Sequence, residues 1–207
     1  MNFWALGVPS TIFIDDYLPL RKIGKDGAAY QTFFAKSPND GAMWPLLLEK
    51  AFAKYHGNYL HIELGNPSKA VMALTGAPIV IHPHADKNNV EDMWTKLRNH
   101  YSAGDIINCA SQAGKDTETD DAGLPLGHAF TVLGIKKLSN GVRLVNIRNP
   151  WGRETFKGAW SDSDTENWTP ALLKEAGYKN DKNNGIFHMS IEDYHKRMSH
   201  TEVNLNN

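Results

Sequence analysis

Apolar residues recur at three- and four-residue spacing in two stretches of this chain, and in short β-branched or aromatic runs elsewhere. Trp44, Leu47, Leu48, Ala51, Phe52 and Tyr55 make one face, Pro45 suits a first helical turn and Gly57 can end it. An amphipathic helix is therefore predicted over residues 43–56. Val90, Met93, Trp94 and Leu97 predict a second helix, capped by Asn88 or Asn89 and ending before Gly104. Phe3 to Ile14, mostly apolar and uncharged, reads as a strand. Ile106 to Ala110, Ala129 to Leu138 and Val142 to Asn149 read as strands too, and Asn140-Gly141 joins the last two as an antiparallel hairpin. Ile186, Phe187, Met189 and Ile191 suggest a closing strand, and Ile191 to Arg197 a short terminal helix or turn. Thr75-Gly76-Ala77-Pro78 interrupts the pattern and sets a boundary near residue 77. The expected class is α+β, a helical first part followed by a β-rich second part on an antiparallel sheet.

The hairpin carries a problem of register. A tight two-residue turn at Asn140-Gly141 would set His128 opposite Arg153, four positions beyond Asn149. That is roughly 13 Å at the usual strand rise. If His128 and Asn149 are to meet, a longer loop or a bulge must absorb the difference, and it is predicted between Lys136 and Gly141.

Those two residues stand in Gly127-His128-Ala129-Phe130 and Arg148-Asn149-Pro150-Trp151-Gly152. A thiol protease needs an imidazole beside its sulfur and a third group that accepts the other ring N–H, so that the ring keeps one tautomer and orientation. Both strings resemble those of the calpain family of cysteine peptidases. Three further blocks share the resemblance: Trp44-Pro45-Leu46-Leu47-Leu48-Glu49-Lys50-Ala51-Phe52-Ala53-Lys54, Gly158-Ala159-Trp160-Ser161-Asp162, and Asp15-Asp16 followed by Pro19. It implies a papain-like, calpain-type catalytic core, with residues 1–76 as the tail of its first subdomain and 77–207 as its second. It also implies His128 as the base, Asn149 as its orienter and Trp151 as the indole that shields their bond. The family's activity is the cutting of internal peptide bonds. The Cys-Trp helix and the oxyanion-hole glutamine that the family places before the first of these blocks are not among these residues.

Composition changes this picture little. The 207 residues are 41% hydrophobic and 22% charged, ordinary for a globular protein. A formal charge of −1, with scattered lysines, argues against nucleic acid. No run approaches the ~20 apolar residues of a membrane helix. Phe3 to Ile14 lacks a basic flank, and the single cysteine excludes an internal disulfide; both fit an intracellular, cytoplasmic location.

Cys109 lies in an apolar strand with no cation or helix N-terminus beside it, and reads as core rather than nucleophile. His82-Pro83-His84-Ala85-Asp86 lacks a firm third ligand, so no metal is assigned to it. Asp116, Glu118, Asp120 and Asp121 read as a solvated loop. The resemblance implies calcium-binding carboxylates, but the matching positions are Ala42, Thr155, Asp162, Asn184 and Ile186. Only Asp162 keeps a charge, and no calcium is expected.

Without its thiolate, a comparable triad loses on the order of a millionfold in turnover. The expectation is the His/Asn half of a calpain-like endopeptidase, inactive alone, with the sulfur on a preceding segment or a second polypeptide. The alternative is a pseudo-peptidase serving as a structural or scaffold subunit; an unrelated metal enzyme using the His82 region ranks below both. A polypeptide partner is expected over the Trp44–Phe52 helix face.

Overall fold

The computed structural model describes residues 1–27, 29–36, 41–85, 89–178 and 184–206. The chain divides into two compact units, Met1–Gly76 and Ala77–Asn207.

In the first unit the apolar segment expected as one strand is a hairpin, β1 (Asn2–Ala5) and β2 (Val8–Thr11). Leu6 and Gly7 both take positive φ, 51° and 79°, the geometry of the tight turn whose twist matches its strands. Leu6 and Gly7 are thus the two residues of the turn between Ala5 and Val8. A second hairpin pairs β3 (Leu20–Ile23) with β4 (Ala29–Thr32). Helix α1 (Trp44–Tyr55) begins with Pro45 in its first turn and is followed by α2 (Pro67–Thr75), which Asn66 caps by accepting the Lys69 N–H. Phe3 packs with Ala51 and Ala73, and Leu48, Phe52 and Tyr55 lean on that cluster. Much of the α1 apolar face is thus covered within the unit, while Trp44 remains 64% exposed. Lys50 reaches Asp15 and the Tyr17 carbonyl, and Lys54 reaches the Phe13 carbonyl at 2.6 Å, tying α1 to the segment after β2.

The second unit is built on six antiparallel strands in the order β5-β10-β6-β7-β8-β9. These are β5 (Ile79–Pro83), β6 (Ile106–Ser111), β7 (Ala129–Lys137), β8 (Arg143–Arg148), β9 (Ile186–Ser190) and β10 (Met198–Asn204). Helices α3 (Val90–Ala103) and α5 (Ile191–Arg197) bring Met93, Trp94, Leu97, Ile191 and Tyr194 onto Ile107, Phe130, Val145, Ile147, Phe187 and Met189. Asn89 caps α3 through the Asp92 N–H; Asn88 lies outside the described residues. Strand alternation sends Leu144 the other way, into a second cluster with Leu138, Trp160 and Trp168 that α4 (Pro170–Ala176) helps cover. Among the described residues no helix is long and apolar enough to cross a membrane.

The β7–β8 irregularity falls partly where it was expected, as a longer loop, and partly upstream, as a bulge. The turn is a three-residue loop closed by Leu138 N–H to the Val142 carbonyl at 2.7 Å, so Lys137 pairs with Arg143 rather than Leu144. The bulge sits between Val132 and Gly134, upstream of Lys136, and beyond it Thr131 pairs with Arg148. Loop and bulge each advance the register by one position. The remainder is made up where the chain leaves β8 at Asn149.

His188 on β9 is buried beneath Trp168 and Tyr178, with ring centroids 5.5 and 4.4 Å away, and burial holds its pKa down at about 4 against an ordinary 6.5. The unfolded chain takes this proton as pH drops through 6.5, whereas the folded chain refuses it until about 4. This contribution to stability is therefore complete above pH 6.5 and erodes between 6.5 and 4. Urea unfolding followed by tryptophan fluorescence should show wild type losing about 2 kcal/mol more than His188→Gln between pH 7 and 4.5; parallel profiles would remove the assignment.

Candidate active site

The site is assembled from the backbone outward. At the end of β6, Ser111 donates its N–H to the His128 carbonyl at 2.9 Å, and its hydroxyl oxygen accepts the His128 N–H at 3.0 Å. One residue earlier, Gly127 has φ 54°, and a Cβ there would lie 2.3 Å from the Gly114 carbonyl oxygen. Only glycine fits this approach. On the other side of the site, the Asn149 N–H donates to the Gly185 carbonyl at 2.8 Å, and a Cβ on Gly185 would lie 2.8 Å from the Asn149 backbone carbonyl oxygen. These contacts hold the two backbones before either side chain is considered.

The side chains then meet. His128 Nε2 lies 3.0 Å from Asn149 Oδ1, and the same oxygen accepts the Trp151 N–H at 3.0 Å. A backbone donor aimed at that atom identifies it as the oxygen, so Nε2 carries the ring proton and Nδ1 keeps its lone pair. The Trp151 indole lies 4.3 Å from the imidazole at 45°, and Phe130 meets it edge-on at 4.8 Å. His128 is 8% exposed and Asn149 1%, while Trp151 is 41% exposed. The indole is wet outside and covers the His/Asn bond inside; the Arg153 guanidinium lies 5.4 Å from its ring.

The profile of the calpain family cysteine proteases matches residues 1–204. The chain belongs to the calpain family. It is 32% identical over 200 residues to a calpain-type cysteine protease, ADL1, of Oryza sativa subsp. japonica, covering 94% of this chain and 9% of that protein. Calpain-12 of Mus musculus is 32% identical over 202 residues, 93% of this chain and 26% of its own. Calpain-7 of Homo sapiens is 32% identical over 196 residues, covering 90% and 23%. The chain thus spans a small share of the length of the relatives it matches.

In this calpain-family chain the single cysteine is not at the histidine. Cys109, in mid-β6 and paired across the sheet with Phe130, is 1% exposed, and burial pushes its thiol up to about 12. At neutral pH its thiolate fraction is on the order of one in a hundred thousand. His84 is buried against Thr201 Oγ1 at 2.9 Å, whereas His82 lies on β5 and touches His100, so the motif is not one cluster; Asp86 lies outside the described residues. The acidic stretch is a loop with Asp116, Glu118 and Asp121 exposed, as expected, and only Asp120 is drawn inward. Asp120 accepts the Ala122 and Leu124 N–H groups, and Asp120 and Asp121 both hold Arg197, at 2.6 and 2.5 Å.

The family's calcium positions do not fit the ion. Ile186 offers no side-chain oxygen, Asn184 Oδ1 accepts the Ile186 N–H at 2.7 Å, and Asp162 is buried with its N–H held by Glu154 at 3.1 Å. Calcium wants six to eight oxygens, several of them charged. Glu154 adds a second acid beside Asp162, leaving two carboxylates where the ion wants more.

Sequence reasoning missed Ser111, Gly127 and Gly185, none of which carries chemistry; positive φ at Gly127 and Gly185 becomes visible only in three dimensions. Asn149→Ala should leave the His128 and Trp151 N–H groups without their acceptor, costing about 1–3 kcal/mol of stability. Nitrogen NMR should show one Nε2–H tautomer of His128 in wild type and a mixture in the variant; the same single tautomer in both would contradict the assignment.

Proposed function

We propose that these residues are the base-bearing half of a calpain-type cysteine endopeptidase with papain-type architecture, the nucleophilic thiol coming from polypeptide outside the 207 residues. The observation that carries the reading is the 3.0 Å contact of His128 Nε2 with an Asn149 oxygen already fixed by Trp151. With Nε2–H committed to Asn149, Nδ1 is the nitrogen that takes the thiol proton. The resulting imidazolium is stabilised by the amide oxygen, and Trp151 keeps water from competing for it. The thiolate attacks the peptide carbonyl, the imidazolium returns its proton to the departing amine, and water drawn by the neutral ring releases the acyl group.

In this reading residues 1–76 end the first subdomain and 77–207 form the second. A polypeptide covers the exposed indole of Trp44, and the protein works inside the cell. The neutral residues at Thr155, Asn184 and Ile186 favour a second reading, a pseudo-peptidase scaffold whose His/Asn pair is inherited but unused.

Incubated with a fluorogenic peptide and an epoxysuccinyl label, the 207-residue protein should neither cleave the one nor bind the other through Cys109. Joined to a polypeptide supplying the Cys-Trp helix and oxyanion glutamine, it should gain turnover, which His128→Ala lowers by roughly a millionfold. Turnover or labelling by the 207 residues alone would overturn the proposal, and a silent joined protein would favour the scaffold.

A further inference from the structure

Away from His128, three polar side chains of the second unit stand in line. Asp105, just beyond the glycine that ends α3, is almost fully buried, its side chain 5% exposed. One carboxylate oxygen accepts the Asn206 N–H at 2.7 Å and the other accepts His100 Nδ1–H at 2.7 Å. That leaves the lone pair of His100 on Nε2. Facing it, 3.0 Å away, is His82 Nε2, from the edge strand β5.

A single N–H···N hydrogen bond explains the contact only in part. It accounts for two rings touching, but not for a buried carboxylate spent on fixing the tautomer of one of them. A carboxylate that turns the second nitrogen of a histidine outward is the usual support behind a metal-binding imidazole. Two such nitrogens with bonds of about 2.0–2.1 Å to one ion stand roughly 2.9 Å apart in adjacent square or octahedral positions and roughly 3.3 Å apart in tetrahedral ones. The observed spacing lies in that interval. Around the pair, Lys96 opposes positive charge and Asp92 favours it, and the two are ion-paired with each other at 2.5 Å. Among the described residues no group of three His, Cys, Asp or Glu completes a cage, so the remaining positions fall to water or to a donor from outside.

We propose that His82 and His100, oriented by Asp105, form an open site for a first-row transition-metal dication such as zinc or copper. Binding replaces the His82 Nε2 proton, moving it to Nδ1, and joins edge strand β5 to α3. Imidazole softness suits these ions and excludes calcium and magnesium.

Calorimetry of the whole chain with zinc, copper, manganese or calcium salts, in chelator-free buffer at pH 7.5, tests this. One dication should bind per chain, copper tighter than zinc and zinc tighter than manganese, with calcium silent. His82→Ala or His100→Ala should abolish the site, Asp105→Asn should weaken it about 10–100-fold, and His61→Ala, in the first unit, should leave it intact. Nitrogen NMR of the wild type, which needs no variant to fold, should show zinc shifting the His82 and His100 rings. No zinc or copper binding up to millimolar concentration, equal binding by all the variants, or shifts confined to other histidines would overturn the proposal.

Discussion

The site rests on one hydrogen bond, from His128 Nε2 to Asn149 Oδ1. A single buried hydrogen bond contributes only about 1 kcal/mol net, far too little to bring two strand ends together against chain entropy. The bond is therefore a readout of the sheet. Val145, Ile147, Phe130 and Phe187 are buried on one face of β7, β8 and β9, and Leu144 on the other, so a slip of one position would exchange core and surface all along β8. With the ladder fixed, Ser111 and Gly185 set the two backbones and Trp151 sets the amide, and the imidazole has one orientation left.

That arrangement keeps the imidazole apart from the chain's one cysteine sulfur. The fold accommodates one thiol, Cys109, and places it mid-sheet beside Tyr194, where burial favours the protonated form. A thiolate there would have no compensating charge. His128 stands at the opposite extreme, at the end of its strand, with one nitrogen committed to Asn149 and an indole partly in water beside it. That is the geometry the proposed role of general base requires.

Much of this was legible in the residues. The 3.6-residue spacing in α1 and α3, the Asn-Gly turn, and His128 with Asn149 in family context all rest on strong local signals, and each corresponds to an element or contact in the structure. What was not legible depended on long-range pairing. Leu6-Gly7 lacks the usual Asn-Gly signature, so one apolar run concealed a hairpin. Strand β10 has polar residues on both sides because it is interior, with Thr201, Glu202 and Asn204 buried between β5 and β6; alternation fails there. Strand β5 was not read from the residues, and its Pro83 discourages such a reading, yet a proline at the end of an edge strand costs little. The bulge at Leu133 is flanked by Gly134, an isolated glycine inside a strand and the one local signal that could have placed it there. Asp120 looked solvated because its partner, Arg197, lies far along the chain.

The central claim is that His128 sets the ionisation of a thiol carried on other polypeptide. The most direct measurement is the alkylation rate of that thiol against pH, in a protein that joins it to these residues. The thiol should react as a thiolate well below its ordinary pKa of about 8.5, and His128→Ala should return the profile to that value. Superimposable profiles in the two proteins would contradict the account.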